Sequence, residues 1–310
     1  MALSVIRGAA ACCTLAFLAS CAAPGQTSAP YTPASAGAAR ASGPMEFIIG
    51  ATQDPGGIFT FNRNGDSTRT PGFASAGFTV GITYDPENKF VYAISVDAVH
   101  AYTRQGVVQT LPGTFSDSHE PVALAYDPEN HLIYLANQHN NGRTGPGSMY
   151  AYNEYGVQQV APHFRDVPGD PEAMTCDPST GTIYVTGFDA GVTAYSVKGK
   201  KLPYPFPNTN APVGIAFDDH NGLVYVADSG LPGVTVYTKT GVQVKTSGTW
   251  SGTSSPTGLA FDPQTKLIYI TDYTTGQVTA YDEQGNEQTL TGFSGMSPSL
   301  GIGPIAIVRD

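Results

Sequence analysis

From residue 46 to its end the chain alternates short apolar runs with turn residues, and the same pattern returns six times. One unit shows the form. Gly258-Leu-Ala-Phe-Asp-Pro263 reads as an apolar strand ended by an Asp-Pro turn, where Asp bonds its own following backbone and Pro pre-sets φ. Lys266 to Asp272 reads as a second strand rich in β-formers, and Gln277 to Tyr281 as a third that alternates in and out. A fourth, Glu287 to Leu290, runs outward to Phe293.

An aromatic-x-x-x-Gly element closes the third strand of every unit: Phe61…Gly65, Tyr102…Gly106, Tyr152…Gly156, Tyr195…Gly199, Tyr237…Gly241 and Tyr281…Gly285. Its aromatics lie 41 to 50 residues apart, a period that predicts a β-propeller. The Asp-Pro turn recurs at Asp85, Asp127, Asp177 and Asp262, with Asp218-Asp219 as a variant. The second-strand tyrosine recurs at Tyr92, Tyr134, Tyr184, Tyr225 and Tyr269. Both features therefore appear one time fewer than the aromatic-x-x-x-Gly element. The first unit starts directly at Phe47-Ile-Ile-Gly, a second strand, whereas Pro304 to Asp310 reads as an inner strand with nothing after it. The expected fold is all-β: a six-bladed β-propeller over 46–310, closed by a C-terminal inner strand that joins the N-terminal blade.

Residues 1–20 read differently. Arg7 is their one charge, and Ala9 to Ala19 is a small-residue apolar run too short to span a membrane. Leu18-Ala19-Ser20-Cys21 resembles a bacterial lipobox, which implies cleavage before Cys21 and lipidation of its thiol. Ala22 after the cysteine is similar to the pattern that lets Gram-negative lipoproteins reach the outer membrane. Residues 21–45, almost entirely Ala, Ser, Pro, Gly and Thr, cannot bury enough surface to offset ordering and read as a tether. An exported domain held by a diacylated Cys21 is the expectation. Of the four cysteines, Cys12 and Cys13 leave with the leader and Cys21 carries lipid, so Cys176 remains as a buried small hydrophobe with no disulfide partner.

The block Pro256 to Asp272, Pro-x-Gly-Leu-Ala-Phe-Asp-Pro…Ile-Tyr-Ile-Thr-Asp, resembles NHL-repeat and related six-bladed propellers, the gluconolactonase-like enzymes among them. That resemblance covers about residues 46–310 and speaks to architecture more than to activity. It implies, for the enzymes of the group, a divalent cation at the channel mouth held by Glu, Asn and Asp.

Strand direction puts the fourth-to-first and second-to-third connections on one face, the top. Thr52, Gln53, Asp54, Asp97, His119, Glu120, Asn137, Gln138, His139, Asp170, Glu172, Asp189, Asp228 and Asp272 belong to it. Carboxylates converging on a channel mouth attract cations, yet an aspartate ending a second strand also bonds its own turn. His119, Glu120 and His139 are the sharper ligand or acid/base candidates, because they share one unit with the chain's one long insertion, Gln138 to Ser148. His131 and His220 fall in bottom turns and His100 and His163 in strands, all read as structural. Aligning units makes the sole tryptophan, Trp250, equivalent to Phe73, Phe115, Phe164, Phe206 and Phe293, hence a packing residue.

With 15 basic and 25 acidic residues the formal charge is −10, one more negative once Arg7 leaves, which argues against nucleic acid as partner. No phosphate loop, nucleophile elbow or Cys/His framework is present. The leading expectation is a lipid-anchored binding module, with an envelope protein, peptide or glycan on its top face. A metal-dependent lactonase-like hydrolase or lyase and an envelope scaffold subunit stand beside it.

Overall fold

The computed structural model describes residues 47–308, apart from 53–55, 69, 71, 74–75, 96–97, 117–119, 139–146, 165, 232, 291, 294–295 and 297–300. The expected signal segment and tether with Cys21, and the top-face candidates Gln53, Asp54, Asp97, His119 and His139, lie outside these residues.

Six antiparallel sheets account for the strands. The second sheet holds β3 (Thr79–Asp85), β4 (Phe90–Ser95), β5 (Ala98–Thr103) and β6 (Val108–Gln109) in that order. β7 (Pro121–Asp127), β8 (Leu132–Asn137) and β9 (Ser148–Asn153) form the third, and β10 (Pro171–Asp177), β11 (Thr182–Gly187) and β12 (Gly191–Tyr195) the fourth. The fifth is β13 (Pro212–Asp218), β14 (Leu223–Asp228), β15 (Val234–Thr238) and β16 (Gln243–Val244). The sixth is β17 (Pro256–Asp262), β18 (Leu267–Asp272), β19 (Gln277–Asp282) and β20 (Glu287–Gln288). The first sheet joins the two ends of the chain: β1 (Phe47–Ala51) lies between β2 (Gly57–Phe61) and β21 (Ile302–Ile307), with Phe47 opposite Ile307 and Ile49 opposite Ile305.

The inner strand starts two residues earlier than the sequence pattern suggested, because Ile302 pairs with Ala51 across a bulge. Fourth strands are shorter than expected. They span two residues in three sheets and single bridges at Ser67, Gln158 and Lys201 in the others. Around the centre each inner strand lies beside the next, β3 by β7, β7 by β10, β10 by β13, β13 by β17, β17 by β21 and β21 by β3.

The six-fold element acquires a physical meaning at the seams. In five of the six sheets the closing aromatic wedges between its own second-strand tyrosine and the third-strand aromatic of the next sheet. In the first, whose second strand has no tyrosine, Phe73 packs against Tyr102 of the next sheet. Phe115 sits 6.0 Å from Tyr92 and 5.1 Å from Tyr152. Trp250 sits 5.7 Å from Tyr225 and 5.2 Å from Tyr281, and Phe293 lies 5.2 Å from Phe61 of the first sheet. The glycine four residues on supplies the counterpart. Gly285 has φ +84°, and a Cβ there would stand 2.5 Å from Trp250 Nε1. Its carbonyl accepts the Trp250 amide, as the Gly65 carbonyl accepts that of Phe293. Third-strand tyrosine hydroxyls also bond across four seams, donating to carbonyls of Ser116, Asp166, Pro207 and Ser251. Edge and offset ring contacts of this kind add about 0.5–1.5 kcal/mol each beyond burial.

Candidate functional site

Register irregularities near the top of every inner strand shape the central channel. Pairing skips between Thr79 and Gly81, Pro121 and Ala123, Pro171 and Met174, Pro212 and Gly214, and Pro256 and Gly258. A bulge re-aims the extra side chain. Here it turns Val80, Val122, Glu172, Val213 and Thr257 into the channel mouth, with Gly303 as the sixth member. Two residues deeper, Ile82, Leu124, Met174, Ile215, Leu259 and Ile305 form a buried apolar girdle. The girdle divides the channel. Above it opens a cup of about 460 Å³, and below it a cavity of about 220 Å³ lined by Tyr84, Tyr126, Cys176 and Phe217 among others.

Glu172 is the one ionisable member of the mouth ring, on strand β10 rather than in the loop where the sequence reading placed it. Enclosure by protein, helped by the charge of Asp170, pushes its carboxyl up to about 8. At neutral pH it is mostly protonated and can donate a hydrogen bond. A carboxyl whose folded pKa is raised makes the native state bind protons more tightly, so stability falls as pH climbs from about 4.5 to about 8. Glu172→Gln is expected to flatten that slope and to gain most over wild type at pH 8–9, read from unfolding midpoints across the range.

The remaining candidates separate. Glu120 and Gln138 join Glu172 in lining the cup, and Thr52 lines it too. Glu120 sits in the left-handed region at φ 53°, and its carbonyl accepts the Gln138 amide, which ties the rim together. Asn137 ends β8, is buried, and donates to Ser148 Oγ at 3.2 Å, away from the cup lining. Asp189 is exposed in the turn between β11 and β12.

Asp228 and Asp272 point into their own turns. Asp228 accepts the amides of Asn210, Ala211 and Gly230 at 2.6, 3.0 and 2.8 Å. Asp272 accepts those of Ser254, Ser255 and Thr275 at 2.7–2.9 Å. Burial alone would raise the Asp272 carboxyl, but the amides of Ser255, Thr275 and Ser254 outweigh it and hold the group below the usual carboxylate value. Such a group contributes stability above its unfolded pKa and loses it as pH falls through the folded one. Asp272→Asn should therefore cost about 1–3 kcal/mol at pH 7 and much less at pH 3, measured as urea midpoints.

Cys176 differs from its expected full burial. It is partly exposed to the lower cavity, because its inner-strand position faces the channel and not a seam. Burial and the neighbouring Asp127 and Asp177 push its thiol up, away from the thiolate.

What the sequence reading missed lies on the bottom face. His131 Nδ1 stands 3.0 Å from Glu87 and 3.4 Å from Glu154, and His220 Nδ1 stands 3.0 Å from Glu283. Each group draws carboxylates from an adjacent turn or sheet. The available signal was the Asn-Glu-x-Gly or Asp-Glu-x-Gly turn after β9 and β19, one unit on from a turn bearing an acidic or histidine residue.

No family model matches the sequence, and no curated protein does. Among solved structures the chain is similar to one in a crystallised nidogen/laminin complex, at a TM-score of 0.67 and 18% identity over 86% of this chain and 98% of that one. Six all-β sheets of three or four strands and this likeness define the chain as a β-propeller.

Proposed function

We propose that the six sheets are the blades of a closed propeller, exported and tethered through a lipidated Cys21, whose top face binds an envelope protein or peptide, with a glycan as the other ligand class of the same face. The cup carries this reading. Its volume, about 460 Å³, lies within the range of roughly 300–1,000 Å³ common for ligand pockets, and its mostly apolar mouth ring carries one ionisable group, Glu172. Glu120, Gln138 and Thr52 supply a polar rim, and the Gln138–Ser148 insertion starts from it. A chain of similar fold taking part in a nidogen/laminin complex is consistent with a protein-binding role. Photo-crosslinking residues placed at Gln138 and at Gln264, on the bottom face, test it in the lipidated full chain. Adducts from Gln138 alone support top-face binding; adducts from Gln264 alone, or none from either position, count against it.

The lactonase-like reading draws on Glu120 and Glu172 lining one cavity. Asn137 does not line the cup, and the oxygens of Asp228 and Asp272 accept backbone amides of nearby turns, so the Glu, Asn and Asp set that the resemblance implies does not converge among the described residues. Metal analysis decides: an ion content lowered by Glu172→Gln relative to wild type favours that enzyme class, and a content unchanged by the substitution counts against it.

A further inference from the structure

On the bottom face, in the seam between the fifth and sixth sheets, Asp218, His220 and Glu283 meet. One ligand atom from each lies within 4.8 Å of the other two. Asp218 ends β13 with no exposure to solvent. Its Oδ1 accepts the amides of His220 and Asn221 at 2.8 and 3.3 Å, whereas Oδ2 is buried without a hydrogen-bond partner.

Three of the five equivalent turns bond the corresponding oxygen. The equivalent Oδ2 of Asp127 accepts from Asn130 and Tyr134, that of Asp177 from Thr180, and that of Asp262 from Thr265. In the Asp218 turn, Asn221 instead gives its amide to the Tyr225 hydroxyl. Asp85 shares the condition, but the Tyr126 hydroxyl lies beside it. A buried carboxylate oxygen left unbonded costs about 1–3 kcal/mol or more, which a bound cation would recover.

The neighbours fit a cation. His220 Nδ1 and Glu283 Oε1 are 3.0 Å apart, close to the roughly 3.4 Å separating two ligands of one tetrahedral ion with bonds near 2.1 Å. Tyr225 reaches across the seam to the Glu283 carbonyl and fixes that turn. Lys266 Nζ stands 2.8 Å from His220 Nε2. An ammonium can only donate, so the neutral imidazole carries its proton on Nδ1, toward Glu283.

We propose that this seam is a binding site for a zinc-class divalent cation, with Asp218, His220 Nδ1 and Glu283 as ligands and Lys266 as the internal cation that yields to it. One imidazole and two carboxylates suit zinc better than calcium or magnesium, which favour all-oxygen shells. On binding, the imidazole proton passes from Nδ1 to Nε2 and the Lys266 hydrogen bond breaks, with no net change in bound protons. Because the ligands come from two sheets, the ion would clamp them together.

Thermal unfolding of the purified full chain with zinc chloride, and with magnesium chloride as control, tests this. Zinc is expected to raise Tm. The rise should disappear in His220→Ala and Glu283→Gln, persist in His131→Ala, and grow in Lys266→Met. His220 and Lys266 are exposed, so their substitution leaves the core intact. A zinc-dependent rise undiminished in His220→Ala would overturn the assignment, as would no rise in either wild type or Lys266→Met.

Discussion

Truncating the chain after Gly301 is expected to abolish cooperative unfolding of the whole domain. The deleted β21 is the inner strand of the first sheet, hydrogen-bonded along β1 through the Phe47–Ile307, Ile48–Ala306 and Ile49–Ile305 pairs. Its removal uncovers Phe47, Ile48 and Ile49, all fully buried, and takes Ile305 out of the girdle. It also leaves β17 and β3 without the strand that lies between them. Two inner-strand flanks and the edge of β1 would face water together, a template for aggregation as well as a loss of stability. The milder Ile305→Ala should cost about 2–5 kcal/mol while keeping a single transition. Circular dichroism against urea distinguishes the outcomes: a truncated chain with the wild-type midpoint would mean that β21 does not hold the first sheet to its neighbours.

Gly285→Ala comes next, with an expected loss of about 2–5 kcal/mol. Two costs add. A residue with a Cβ at φ +84° is in the left-handed region, at about 1–2 kcal/mol. The new methyl would then lie 2.5 Å from Trp250 Nε1, and Trp250 cannot retreat because Tyr225 and Tyr281 hold it and its Nε1 donates to Thr246. Overpacking of that kind costs a further 1–3 kcal/mol or so. Gly222→Ala separates the two contributions. Gly222 has φ +71°, and a methyl added there would meet no atom within 4 Å, so it should lose the backbone cost alone. Equal losses at the two sites, by urea midpoint, would remove the aromatic wedge as the reason for the repeat.

The blade pattern was legible in the sequence because it is written in strand period and turn chemistry, which are local. Asp85, Asp127, Asp177, Asp218 and Asp262 each accept the amide two residues on, the turn that the Asp-Pro pattern predicts. The equivalence of Trp250 with five phenylalanines located it in a seam for the same reason. Glu172 was legible as a candidate and not as a mouth residue, because a bulge sets its direction and bulges leave no mark in hydrophobic alternation. Aligning inner strands at that depth, where Val80, Val122 and Val213 stand opposite a glutamate, would have found it. The bottom-face histidines were hidden for a different reason. Their carboxylate neighbours Glu154 and Glu283 lie 23 and 63 residues away in sequence, and only the packing of the chain's sheets brings them together.

The top cup as the binding surface is tested most directly by filling it. Val122→Trp narrows the mouth beside Glu172, while Gln264→Trp adds the same side chain to the bottom face. With the partner captured at Gln138 purified, equilibrium affinity would be measured for wild type and both variants, each checked for an unchanged unfolding midpoint. A cup-borne contact predicts a loss of about tenfold or more, roughly 1.4 kcal/mol, for Val122→Trp and none for Gln264→Trp. Unchanged affinity in Val122→Trp, or a loss confined to Gln264→Trp, would contradict it.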